Sequence, residues 1–70
     1  MAGKHMILVN GDKFPWFEGI TVRDVIREKN YIFPLLVVRI NGELIRRTEY
    51  DSATIPDSAS LDIIHLISGG

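Results

Sequence analysis

The stretch LLVVRINGELIRR, Leu35 to Arg47, decides the architecture. Asn41-Gly42 stands between a run rich in β-branched residues and the shorter run ELIRR, and Asn-Gly suits the positive φ angles of a type I′ turn. The stretch therefore reads as a tight hairpin. An upstream pair, Asn10-Gly11, joins MILVN to DKFPWF in the same way. Pro15 has no backbone donor, which puts the second of those strands at a sheet edge.

Between the hairpins lies TVRDVIREKN, Thr21 to Asn30. Val22, Val25 and Ile26 fall at i, i+3 and i+4, on one helical face. Thr21 is a good N-cap with Asp24 at N3 as a short capping-box acid, and Asn30 suits the left-handed position after the helix. The spacing predicts one amphipathic helix of about two turns. Downstream, TEYDSATIPDSAS is rich in turn formers, and Pro56-Asp57-Ser58 should turn the chain into a final strand, Leu61 to Ile67. The element order is ββαββ, a loop, and a last β. That is an α+β fold in which one helix packs on one face of a mixed sheet.

One helix covers only one sheet face, so strand alternation should separate a core face from a polar one. The core parity selects Ile7, Val9, Phe14, Trp16, Leu36, Val38, Ile40, Leu61 and Ile63. The other parity reads Leu8, Val37, Arg39, Asp62, Ile64 and Leu66, too apolar for an idle surface. Leu8, Val37, Arg39, Ile64 and Leu66 are accordingly candidate partner-binding residues, with Leu8, Val37, Ile64 and Leu66 expected to be contiguous.

Seventy residues make one small domain with a simple core. A hydrophobic content of 46% with 24% charged residues describes a soluble globular chain. Eight Lys and Arg against nine Asp and Glu include no basic block, so nucleic acid is not an expected partner. There is no cysteine, which excludes disulfides, thiolate nucleophiles and side-chain persulfides. No apolar run approaches a membrane span, and Met6 to Val9 is too short for a signal-peptide core. No membrane association is expected, and the cytoplasm is the expected compartment. MAGKH precedes a second methionine, so residues 1–5 read as a disordered leader or cloning scar, 6–67 as the domain and 68–70 as a flexible tail.

His65 has inward parity near the rim and reads as a partly buried structural histidine, since no second His, Cys or clustered acid accompanies it as a metal ligand would require. Phe14 and Trp16 read as core, and Arg46-Arg47 as a solvated strand end. Asp57, Asp62 and Glu49 show no spacing suited to paired acid and base catalysis, so no catalytic site and no enzyme is expected.

The chain closes on LDIIHLISGG, Leu61 to Gly70. From Met6 to Gly70 it resembles the ThiS/MoaD sulfur carriers of the ubiquitin-like β-grasp fold, and its compact length is closer to ThiS. The resemblance rests on MILVNGD, on TVRDVI opening the helix, on INGELIRRTEY around the second hairpin, and above all on the terminal Gly69-Gly70. Arg46 and Tyr50 stand where ThiS sequences commonly carry proline and tryptophan, and DSAS replaces a DGD-like turn. The resemblance implies no bound cofactor. It implies an E1-like partner that uses ATP to adenylate the Gly70 carboxylate, a sulfur donor that converts it to a thiocarboxylate, and, in the ThiS case, a thiazole synthase that takes the sulfur for thiamin.

Residue chemistry agrees with that expectation. A terminal carboxyl is ionised at neutral pH and is a poor electrophile until activated. Glycine lacks a Cβ, so Ser68-Gly69-Gly70 could thread a narrow active site. A chain without thiols must hold sulfur elsewhere, and the C-terminus is the available place. Two other functions need the same fold: a ubiquitin-like modifier joined to lysines through Gly70, and a plain binding module whose tail is incidental.

Overall fold

A computed structural model describes residues 5–32 and 35–66. Five strands form one mixed sheet: β1 (Met6–Val9), β2 (Asp12–Pro15), β3 (Leu36–Ile40), β4 (Glu43–Ile45) and β5 (Ser60–His65). Their spatial order is β2-β1-β5-β3-β4. The last strand in sequence is thus the middle strand in space. It runs parallel to β1 and antiparallel to β3.

Both Asn-Gly pairs turn as their residue types require. Asn10 and Gly11 have φ of 52° and 86°, and Asn41 and Gly42 have 51° and 86°. Those are the two successive positive φ values of a type I′ turn, whose twist matches the flanking strands. β2, which carries Pro15, is an edge strand, as its missing donor demands.

The helix α1 (Val22–Glu28) has both halves of the expected capping box. The Asp24 N–H donates to the Thr21 hydroxyl at 3.2 Å, and the Thr21 N–H donates to the Asp24 carboxylate at 3.0 Å. Asn30 takes the left-handed conformation just beyond, with φ of 59°. Two further N-terminal donors are met from a distance. Val22 N–H donates to Ala53 O at 3.1 Å and Arg23 N–H to Tyr50 O at 2.9 Å. The loop after β4 therefore closes over the first turn of the helix, where intrahelical partners do not exist.

The core contains the helix face Val22, Val25 and Ile26, together with Ile7, Val9, Val38, Ile40, Leu61 and Ile63 from the strands. Phe14, Trp16 and Leu36, also assigned to the core by parity, are only half buried, at its margin. Ile20, Tyr50, Ile55 and Ala59 lie in irregular backbone and carry no periodic signal, yet all are buried. Tyr50 is buried in the core. Its ring lies 5.6 Å from the Arg23 guanidinium carbon and its hydroxyl donates to Leu36 O at 3.5 Å.

Four expectations are corrected. His65 is exposed rather than partly buried. Inward parity buries a residue only where the helix covers it, and a seven-residue helix is about 10 Å long against about 20 Å for the six-residue β5. His65 lies at the uncovered end. Arg46 and Arg47 are not a strand end: β4 stops at Ile45, and a short 3₁₀ helix spans Arg47–Glu49. The Arg46 N–H donates to the Glu49 carboxylate at 2.9 Å, which starts that turn. β5 begins at Ser60 rather than Leu61, and Ile67, read as its last residue, lies outside the described residues.

The fourth concerns His5, read as part of a leader, which is tied to the fold. Its carbonyl accepts from Trp16 N–H at 3.0 Å, its ring lies 5.3 Å from the Trp16 ring, and its Nδ1 bonds the Asp57 carboxylate. Residues 1–4 lie outside the described residues.

Candidate functional site

Gly70 and the proposed tail Ser68, Gly69 and Gly70 lie outside the described residues. What the structure describes is the ground from which they depart. Leu66 follows β5, and its N–H donates to Leu35 O at 3.0 Å, continuing the pairing with β3. Leu66, the last described residue, thus stands at the end of the sheet's middle strand, beside the start of β3.

Around that exit the outer face of the sheet is apolar. Val37 and Ile64 are direct cross-strand partners, and Leu35 and Leu66 lie beside them. Ile64 is 42% exposed, Leu66 45% and Leu35 44%, whereas Val37 is half buried between its neighbours. Arg39 is exposed and pairs with Asp62 on one side and Leu44 on the other. Arg39 and Asp62, cross-strand neighbours on β3 and β5, thus place charged residues at the border of the apolar patch.

Leu8, although 41% exposed, does not join that patch. It pairs with Ser60, four positions before Ile64 on β5, or about 13 Å along the strand, and Asp62 comes between. The parallel register of β1 and β5 sets this separation, and outward parity alone could not reveal it. Leu35 and Leu44 are the outer-face residues that sequence reasoning missed. Leu44 is 62% exposed and stands beside Arg39. Applying the same alternation to the short strand β4 would have found it.

The inner face at the same end carries a shallow groove of about 280 Å³ lined by Asn10, Tyr31, Leu36, Ile63 and His65. Here the side chain of Asn10 meets the backbone of Ile63 twice. Asn10 Nδ2 donates to Ile63 O at 3.0 Å, and Ile63 N–H donates to Asn10 Oδ1 at 2.8 Å. Among the described residues no three His, Asp or Glu side chains gather as metal ligands would, and no helix is long and apolar enough to cross a membrane.

One helix laid across a five-stranded mixed sheet of order β2-β1-β5-β3-β4, with the last strand central and its end beside an apolar outer patch, defines a ubiquitin-like β-grasp domain. The sequence model of the ThiS family matches residues 7–70. The chain belongs to the ThiS family, the sulfur-carrier family that its motifs resemble. The crystal structure of a thiamine biosynthesis protein (ThiS) from Geobacter metallireducens is similar in fold, with a TM-score of 0.72 and 22% identity, covering 93% of this chain and 99% of that one. Among curated proteins none matches the sequence.

Proposed function

We propose that this chain is the sulfur carrier of thiamin thiazole formation, a protein cosubstrate rather than an enzyme, working in the cytoplasm. In this reading the Gly70 carboxylate attacks the α-phosphorus of ATP in an E1-like partner and pyrophosphate leaves. Sulfide from a donor then displaces AMP from the acyl carbon, which leaves a thiocarboxylate. A thiazole synthase accepts that sulfur. The observation that carries the reading is the family match, which runs through the strand pattern and reaches the terminal Gly69-Gly70.

The exit geometry supports it. β5 pairs with β3 from Ile40↔Leu61 through Leu36↔His65, so the chain departs from a fixed point, and a fixed departure lowers the entropy that a partner must overcome in ordering the tail. Val37, Ile64 and Leu66 provide an apolar surface beside that point, with Arg39 at its border. In this proposal the activating enzyme covers them. Leu8 belongs to a separate contact farther down the sheet.

The test is the intact mass of the chain after incubation with the activating enzyme, ATP and a sulfur donor. The expected gain equals replacement of one oxygen by sulfur, localised to Gly70. Sulfur on an internal side chain overturns the reading. A ladder of lysine-linked conjugates in place of the thiocarboxylate assigns the chain to protein modification instead.

A further inference from the structure

The geometry points to Asn10 as a positioning residue, whose side-chain amide fixes the end of β5 and so aims the C-terminal tail for activation. This inference rests on the reading of Gly70 as the activated group. The pairing of β1 with β5 runs through Leu8↔Ser60 and Val9↔Leu61, and the Asn10 N–H adds one bond to Leu61 O at 2.9 Å. There β1 ends, because φ of 52° at Asn10 turns the backbone into the hairpin. On that side of β5 the next backbone groups belong to Ile63, and among the described residues no strand remains to pair with them.

The Asn10 side chain takes the place of the missing strand. A carboxamide carries one acceptor oxygen and an NH₂ donor, the same complement as a peptide unit, and here both are used on one residue of β5. The pairing on the β1 side is thereby carried two positions beyond Leu61, toward the exit at Leu66. Asparagine meets both local demands: it tolerates positive φ, and it supplies donor and acceptor together. Aspartate has no donor, and glycine has no side chain.

The other Asn-Gly turn provides the contrast. Asn41 also has positive φ and also reaches β5, but its Oδ1 accepts only from Ser60 N–H, at 2.9 Å, at the start of the strand. The two turns hold one strand at different points, Asn41 at its first residue and Asn10 at Ile63, nearer the end that leads to Gly70.

The experiment compares Asn10→Gly with Asn41→Gly in the full chain, since glycine keeps both turns at positive φ. Two quantities are read: amide hydrogen exchange at Ile63, and kcat and KM for adenylation by the activating enzyme. Asn10→Gly should speed Ile63 exchange by about tenfold or more, the loss of roughly one net hydrogen bond. It should also lower kcat by about tenfold with KM little changed, as expected when a bound reactive group is misplaced. Asn41→Gly should leave both near wild type, and Asn10→Asp, which keeps the acceptor alone, should fall between.

Unchanged Ile63 exchange in Asn10→Gly overturns the clamp. Faster exchange with wild-type kcat overturns its role in aiming the tail, as does an equal loss of kcat in Asn41→Gly. If the wild-type chain forms no adenylate, the carrier reading fails and the aiming role fails with it, while Ile63 exchange still reports separately on the clamp.

Discussion

At the scale of single residues, several side chains act far from their place in the sequence. Trp16 sits at the core margin, and its Nε1–H donates to Ile55 O at 2.6 Å, pinning the loop that leads into the last strand. Trp16→Phe keeps most of the ring and strands that carbonyl, so it should lower the unfolding free energy by about 1–3 kcal/mol. Urea unfolding should show a lower midpoint at an unchanged slope. Gly42→Ala isolates a different effect. Beyond its two chain neighbours no residue comes within 4 Å of the added Cβ and φ is +86°, so only backbone strain, about 1–2 kcal/mol, should appear in the same measurement. The Asn-Gly turns were legible because the sign of φ is a local preference. The second use of Asn10 was not, since its side chain meets a residue 53 positions away.

At the scale of elements, β5 shows how much alternation decides. Leu61 and Ile63 are buried and Ile64 is exposed on the same strand. Leu61→Ala should destabilise by about 2–5 kcal/mol through lost burial and a cavity. Ile64→Asp should change stability by no more than about 0.5 kcal/mol, yet weaken the complex with the activating enzyme. Thermal melting and a binding titration on the two variants read both effects. A large loss of melting temperature in Ile64→Asp would place that residue in the core, and unchanged affinity would remove it from the docking surface. The helix and its cap were legible from Thr21, Asp24 and the spacing of Val22, Val25 and Ile26, because all those interactions lie within one turn. Burial of Ile20, Tyr50, Ile55 and Ala59 was not, because the loop around the helix start is set by long-range bonds such as Arg23 N–H to Tyr50 O and Ile55 N–H to Ile20 O.

For the whole molecule, one residue added after Gly70 should abolish adenylation by moving the carboxylate beyond its partner's reacting centre, with the melting temperature unchanged. Adenylate formed at the wild-type rate by the extended chain would show that the position of the carboxylate is not read. The order β2-β1-β5-β3-β4 also bears on how the chain is made. A ribosome releases the first hairpin, the helix and the second hairpin before β5, and until then the inner edges of β1 and β3 have no strand between them. Their open backbone groups are templates for wrong pairing. The closing contacts, Val9 beside Leu61 and Leu8 N–H to Ala59 O, join the two ends of the sequence, and such non-local topology folds slowly. Translation that halts early therefore leaves two hairpins without the strand that joins them in the sheet. The strand that completes the sheet is also the one that leads to the tail, so the sheet closes only once the tail's own strand has been made.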